Sequence, residues 1–370
     1  MTDLPNPTLP NPTAPIDRST QNVATPKAAI LCGYYGMGNA GDEALLVSLL
    51  QSLPPTITPI VLSKNPIETQ KSYEAYGVQV VDRWNLSQII AAMRRSQFFI
   101  WGGGSLMQDS SSAVSPLYYG GLMKLAQILG LKTIAWAQGI GPLNGRFNRW
   151  LTRHVLNRSV LVTVRDRVSC ERVQRWNIPV TLAPDPVWTL VAQPKIDVSH
   201  LPSPRIAVNL RSHSTLTPFR LLILKEALMD LQRDTQGTII LLPFQKSLDW
   251  DLAQDLHAQI PGSEVMLIEN PQILKGIFQQ VDLTIAMRLH GVIMAASEQC
   301  CCYALSYDPK VTRIMEALDL PGLVLSEMHL NAAELKLNWL QLLNNPFIPD
   351  PAPLINKADR HRDRLQAAFR

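Results

Sequence analysis

On each side of a proline-rich passage, this chain repeats one alternation, short aliphatic and β-branched runs separated by longer helical patterns, and that alternation restricts the fold most strongly. Strand, helix, strand in succession is the pattern of crossover connections, so it predicts parallel sheets covered by helices. In the first half the strand candidates are 28–32, 58–62, 78–81, 98–101, 133–137 and 160–164. A helix from Glu43 carries Leu45, Leu46, Leu49 and Leu50 on one stripe, and another after Pro116 carries Leu117, Leu122, Leu125 and Leu129. The passage from Pro184 to Pro204 then interrupts the alternation and reads as an interdomain linker. Beyond it the candidates are 206–210, 238–242, 265–268, 283–286 and 301–305. A chain of 370 residues exceeds one ordinary core and suits two. The expected division is a tail over 1–26, an α/β domain over 27–195, a second over 196–345, and a Pro-rich break with a C-terminal helix over 346–370. That last helix, Lys357 to Phe369, is expected to return to the first domain. The result is two Rossmann-like halves facing a cleft.

Composition narrows the class. The net charge of +4, from 34 basic and 30 acidic residues spread along the chain, leaves no nucleic-acid footprint. The first 26 residues repeat Pro, Thr and Asn without an apolar h-region, which predicts a disordered tail and not a signal peptide. No uncharged apolar stretch reaches the roughly 18–20 residues that span a bilayer, so a cytoplasmic protein is expected. Cys32, Cys170 and the run Cys300–Cys302 show neither C-x-x-C pairing nor zinc spacing. The triplet reads as small apolar packing in a buried strand, its members pointing alternately to opposite faces. Asp109, Asp185 and Asp308 stand singly, and no metal site is expected.

Ligands of open α/β sheets sit at the carboxyl ends of strands, and these ends carry the chemistry here. After residues 28–32 comes Gly33-Tyr34-Tyr35-Gly36-Met37-Gly38-Asn39-Ala40-Gly41-Asp42-Glu43, a glycine-rich turn leading into a helix whose free N–H groups suit an anion or a sugar. Its Gly36-x-Gly38-x-x-Gly41 spacing matches the dinucleotide fingerprint only as a bare string, and no Gly-Lys-Ser/Thr follows. Trp101 runs into Gly102-Gly103-Gly104-Ser105, either a bare backbone that a ligand approaches or a turn needed for chain reversal. Arg165-Asp166 ends another strand as an anion ligand or a surface pair. Arg288 and His290, two apart at a strand end, are expected to share one face. His290 is then either an acid/base or a packed histidine. Arg211 and His213 end a further strand.

These segments resemble the polysaccharide pyruvyl transferase family, in particular its CsaB-like branch. The likeness lies in Gly33-Tyr34-Tyr35-Gly36 with Gly41-Asp42-Glu43-Ala44, Trp101 to Asp109, Ala137-Gln138-Gly139-Ile140-Gly141-Pro142 and Thr163-Val164-Arg165-Asp166. Asp185-Pro186, Met287-Arg288-Leu289-His290 and Ser306-Tyr307-Asp308-Pro309-Lys310 complete it, in the same order. The resemblance implies a GT-B-like α/β fold and transfer of pyruvate from phosphoenolpyruvate to a sugar as a ketal, without a cofactor. It implies His290 as catalytic acid/base and Asp42 as the group that orients or deprotonates the acceptor hydroxyl, N-capping being the other reading of Asp42. Arg165 and Arg288, with Arg211 and Lys310, would hold the anionic donor. Gly36, Gly38, Gly41, Gly103, Gly104 and Ser105 would let substrate approach the backbone. The second domain thus serves the donor, and the first an acceptor such as an N-acetylmannosamine-type hexosamine of an envelope polymer.

Two rivals share the architecture: a nucleotide-sugar glycosyltransferase and a non-catalytic glycan-binding protein. Arg146-Phe147-Asn148-Arg149-Trp150-Leu151-Thr152-Arg153-His154 interleaves cations with aromatics, so it reads either as a solvated helix or as a contact with the inner membrane face for a lipid-linked acceptor.

Overall fold

The computed structural model describes residues 27–110, 112, 114–329 and 331–370; the tail expected over 1–26 lies outside them. Eight strands form the first sheet: β1 (Lys27–Cys32), β2 (Ile57–Ser63), β3 (Gln79–Asp82), β4 (Phe98–Trp101), β5 (Gly104–Met107), β6 (Lys132–Ile140), β7 (Leu161–Val164) and β8 (Thr181–Leu182). Their order is β3-β2-β1-β4-β6-β7-β8, with β5 also paired to β6. The second sheet comprises β9 (Arg205–Asn209), β10 (Thr238–Leu241), β11 (Glu264–Val265), β12 (Leu283–Ala286), β13 (Cys302–Ser306) and β14 (Gly322–Val324), ordered β11-β10-β9-β12-β13-β14. All pairings are parallel. Every predicted strand is present, while β5, β8 and β14 were not anticipated. These three are two to four residues long and carry no β-branched run to announce them.

Side chains alternate across each strand, so each sheet has two apolar faces. In β1, Ile30 and Cys32 join the outer core of the first sheet, while Ala29 and Leu31 point to a core common to both sheets. Cys300 and Cys302 enter that common core and Cys301 the outer core of the second sheet, the apolar packing expected of the triplet, although only Cys302 lies within a strand.

The helix Ala40–Ser52 lies in the common core and is buried almost all round, with Leu46, Val47 and Leu49 inaccessible. It begins three residues before the predicted start because Asn39, not Asp42, caps it by accepting from Gly41 N. In the helix Ser115–Ile128 the buried stripe is Tyr119, Leu122, Met123 and Ala126. Leu117 and Leu129 are exposed, so the true apolar face is rotated from the predicted one.

The proline-rich passage is packed rather than free-running. Pro186–Thr189 forms a 3₁₀ turn with Val187 and Trp188 buried in the common core. The C-terminal segment folds as two helices, Ala352–Ala358 and Arg360–Phe369, and returns to the first sheet. There Phe369 meets Phe98 with ring centres 4.5 Å apart, and Trp136 Nε1 donates to the His361 carbonyl at 3.1 Å.

Candidate active site

A cavity of about 1220 Å³ opens between the two sheets at the carboxyl ends of their strands. Gly41, Asp42, Ser105 and Arg165 line it from the first half, and Arg211, Arg288, His290 and Lys310 from the second.

Several glycines of the two glycine-rich turns serve packing. A Cβ at Gly33 or Gly102 would strike the buried Tyr35 ring, one at Gly103 would strike Leu45, and one at Gly36 would sit 2.0 Å from Ser63 Oγ. Gly36 and Gly38 line a separate recess, and Gly103 and Gly104 do not reach the main cavity. Packing thus accounts for Gly36 and Gly103, while Gly38 and Gly104 have room beside them. Gly41 does line the cavity, and a Cβ there would lie 2.2 Å from His290 Nδ1. The glycine seats the imidazole of the opposite domain. Beside it, Ala40 N donates to the Phe244 carbonyl at 2.8 Å, tying the turn across the cleft.

Asp42 and Glu43 follow in the first helical turn. Asp42 accepts from Asn39 Nδ2 at 2.6 Å, and burial pushes its carboxyl up to about 6 against the pull of His290, Arg165 and Arg288. Glu43 accepts from Gly36 N at 2.8 Å and Tyr73 Oη at 2.7 Å. Burial still pushes its carboxyl up to about 7. Glu43 thus holds the turn in shape while Asp42 faces the cavity.

His290 does not share a strand face with Arg288. β12 ends at Ala286, Arg288 occupies the N-cap position of the helix Leu289–Ser297, and His290 stands in that helix's first turn. The two side chains diverge. His290 Nε2 lies 3.5 Å from Asp185 Oδ2 and has no hydrogen-bond partner among the described residues. Arg288 turns to Asp249, giving bonds of 2.7 Å from Nε and 2.6 Å from Nη2. Asp249 also accepts from the backbone of Phe244 and Gln245, and Asn209 Oδ1 accepts from Arg288 N. Arg288 thus gives its Nε and Nη2 to a buried bidentate pair while it still lines the cavity.

Arg165 has a different setting. Its Nη1 pairs with Asp185, and its Nη2 donates to Ser105 Oγ at 3.2 Å. Lys310 Nζ donates to the same Ser105 Oγ at 3.1 Å, so cations from both domains converge on one neutral hydroxyl. Burial, then the Arg165 charge, lowers the Lys310 ammonium. Burial opposes ionisation of Asp185 too, but Arg165 and His290 hold its carboxyl well below the usual range. Asp185 Oδ1 also accepts from Val187 N at 3.0 Å. Arg211 lines the cavity with Nη1 donating to Tyr307 Oη at 3.0 Å, whereas His213 bonds Thr215 and packs against Tyr307. Asp109 accepts from the backbone of Asn144 and Gly145 and shapes the loop before Arg146–Leu156.

Sequence reasoning noted Asp185-Pro186 but gave Asp185 no role, and it missed Asp249 and the cavity-lining Arg83, Trp84 and Tyr118. Asp185-Pro186 carried a usable signal, an acid fixed before proline just beyond a strand. Asp249 lies within the helix Lys246–His257 and carries none.

The polysaccharide pyruvyl transferase family model matches residues 39–309. No curated protein matches the chain. Among solved structures, it is similar to a UDP-GlcNAc 2-epimerase from Neisseria meningitidis bound to UDP-GlcNAc, at 12% identity and TM-score 0.60 over 92% of this chain and 99% of that one. A UDP-GlcNAc 2-epimerase from Methanocaldococcus jannaschii, in complex with UDP-GlcNAc and UDP, matches at 12% identity and TM-score 0.59 over 90% and 98%. The calicheamicin glycosyltransferase CalG4 matches at 11% identity and TM-score 0.51 over 93% and 95%. At such identities the likeness shows the fold alone, which is GT-B-like.

Proposed function

The chain belongs to the polysaccharide pyruvyl transferase family, and on that premise we propose that it transfers the pyruvyl group of phosphoenolpyruvate to two hydroxyls of a saccharide, forming a ketal and releasing phosphate. The observation that carries this reading is the convergence of Arg165 and Lys310 on Ser105 inside the interdomain cavity. Two cations around a neutral hydroxyl suit a compact polyanion, and an anion seated there would offset the burial that lowers Lys310. Arg211 adds a third cation on the same cavity wall.

The reaction needs one proton delivered to the methylene carbon of the enol phosphate, which becomes a methyl group. A sugar hydroxyl then adds to the cationic carbon, phosphate departs with its bonding electron pair, and a second hydroxyl closes the ketal. The two hydroxyl protons leave, one replacing the proton spent on the methyl group and one released with phosphate. His290, with Asp185 at 3.5 Å and seated on Gly41, is the proposed proton donor. Asp42, at the end of the glycine-rich turn, is the proposed acceptor of a hydroxyl proton. A carboxyl raised to about 6 is a better base than an ordinary aspartate and is still largely ionised at neutral pH. Arg165 and Lys310 would stabilise charge developing on the leaving phosphate. Arg288 is proposed as a positioning residue, because it fixes the start of the helix that carries His290.

The acceptor in this reading is a hexosamine of an envelope polymer. The helix Arg146–Leu156 exposes Phe147 and Trp150 among Arg146, Arg149 and Arg153, which supports contact of a lipid-linked acceptor with an anionic membrane surface. Among the described residues no helix is long and apolar enough to cross a membrane. Phosphate release from phosphoenolpyruvate that requires a glycan is the direct test. Sugar transfer from a nucleotide sugar, with no phosphate released from phosphoenolpyruvate, would refute the proposal.

A further inference from the structure

One wall of the cavity is aromatic, and the chemistry above gives it no task. Arg83, just after β3, is 4% exposed, with Nη1 donating to the Gly33 carbonyl at 3.2 Å and Nη2 to Tyr119 Oη at 3.1 Å. Its guanidinium carbon stands 5.2 Å from the Trp84 ring centre, 4.9 Å from that of Tyr118 and 5.6 Å from that of Tyr119. Tyr118 Oη donates to the Arg83 carbonyl at 2.7 Å, and its ring lies 5.0 Å from that of Trp84. The guanidinium and the Tyr118 ring back the indole, yet Trp84 is 64% exposed. An exposed indole so backed at the rim of a cavity is a preformed apolar surface, placed where a ligand enters. From there an apolar groove of about 310 Å³ continues past Leu86, Leu122 and Leu125.

We infer that Trp84 and Tyr118 form a stacking shelf for a sugar ring of the acceptor; the substrate class rests on the transferase reading above. A pyranose carries C–H groups on its faces and hydroxyls around its rim. It can therefore cover an aromatic face while its hydroxyls stay solvated or bonded. Phosphoenolpyruvate has no such face, and the electron-rich ring surface disfavours an anion. The cavity thereby sorts its two substrates by chemistry: the anion goes to the cations around Ser105, the saccharide to the rings over Arg83. Arg83 underlies both aromatic residues and acts as a positioning residue.

The test measures saccharide binding to the full chain without phosphoenolpyruvate, by saturation-transfer NMR and tryptophan fluorescence. The probes are methyl glycosides of N-acetylmannosamine, N-acetylglucosamine and glucose, and disaccharides that end in them. Trp84→Ala is expected to weaken saccharide binding by about tenfold or more, Trp84→Phe by about threefold or less, as for a lost and a retained stacking face. Calorimetric affinity for phosphoenolpyruvate should be the same in both variants as in the parent. Saccharide affinity unchanged in Trp84→Ala, or no binding of any probe by the parent chain, would overturn the shelf. Saccharide binding that depends on Trp84, without glycan-dependent phosphate release, would leave the shelf standing and remove the pyruvyl transfer reading.

Discussion

Two arginines, one in each half of the molecule, follow the ends of parallel strands, and each meets a buried aspartate. After β7, Arg165 shares Asp185 with His290 and reaches on to Ser105, where Lys310 joins it from the other domain. After β12, Arg288 closes a bidentate pair with Asp249, whose Oδ2 also accepts from the backbone of Phe244 and Gln245. The first arrangement leaves polar groups facing the cavity that a substrate can recruit. The second pairs its charges with each other and holds a helix start in place. Residue type and topological position are the same, so the difference lies in what surrounds each carboxylate.

The sharpest way to break this comparison is His290, which belongs to the first arrangement although it is carried by the second domain. His290→Ala is expected to lower turnover by about two to four orders of magnitude, the usual scale for a lost general acid/base, with a near-parental melting temperature. Near-parental turnover in a folded variant would remove His290 from the chemistry.

Lysine substitution of each arginine separates the two sites further. Arg288→Lys should destabilise the fold by about 3 kcal/mol, since one ammonium cannot satisfy both oxygens of the buried Asp249, while phosphoenolpyruvate affinity measured on the folded fraction holds. Arg165→Lys should do the reverse, weakening phosphoenolpyruvate binding by about 2 kcal/mol with a smaller loss of stability. Denaturant unfolding and calorimetric titration decide between them. Equal effects of the two changes on both measurements would dissolve the distinction.

The acidic side of the cleft gives a pH signature. Glu43, raised to about 7 in the fold from an ordinary 4.5, binds its proton more tightly folded than unfolded. Stability from this group therefore falls as pH rises from about 4.5 to 7, by roughly 1–3 kcal/mol in total. Asp42, raised to about 6, adds a slope of the same sign at lower pH. Melting temperature followed from pH 5 to 7 should decline less steeply in Glu43→Gln than in the parent. An identical slope would mean that Glu43 titrates normally.

The smallest expected effect belongs to the glycine-rich turn. Gly38→Ala meets open space and costs only the strain of φ +67°, about 1 kcal/mol. Gly41→Ala drives a methyl group into the His290 ring, so its effect should appear in turnover more than in melting temperature. Comparable turnover in the two variants would mean that Gly41 does not seat the histidine.

The sequence by itself determined the repeated strand and helix alternation, hence two parallel sheets and a cleft at their carboxyl ends, because burial on both faces of a strand and on one stripe of a helix is written in local periodicity. It also placed Asp42, Arg165, Arg211, Arg288, His290 and Lys310 on the cavity, since strand ends are readable from the same pattern. Only the tertiary structure decided that Arg288 pairs with Asp249, 39 residues away, and that Gly41 makes room for a histidine of the other domain. It alone brought Arg165 and Lys310 together on Ser105 and stacked Trp84 with Tyr118 over Arg83. Partner choice among polar side chains depends on distances between elements remote in sequence, and no local period encodes those distances.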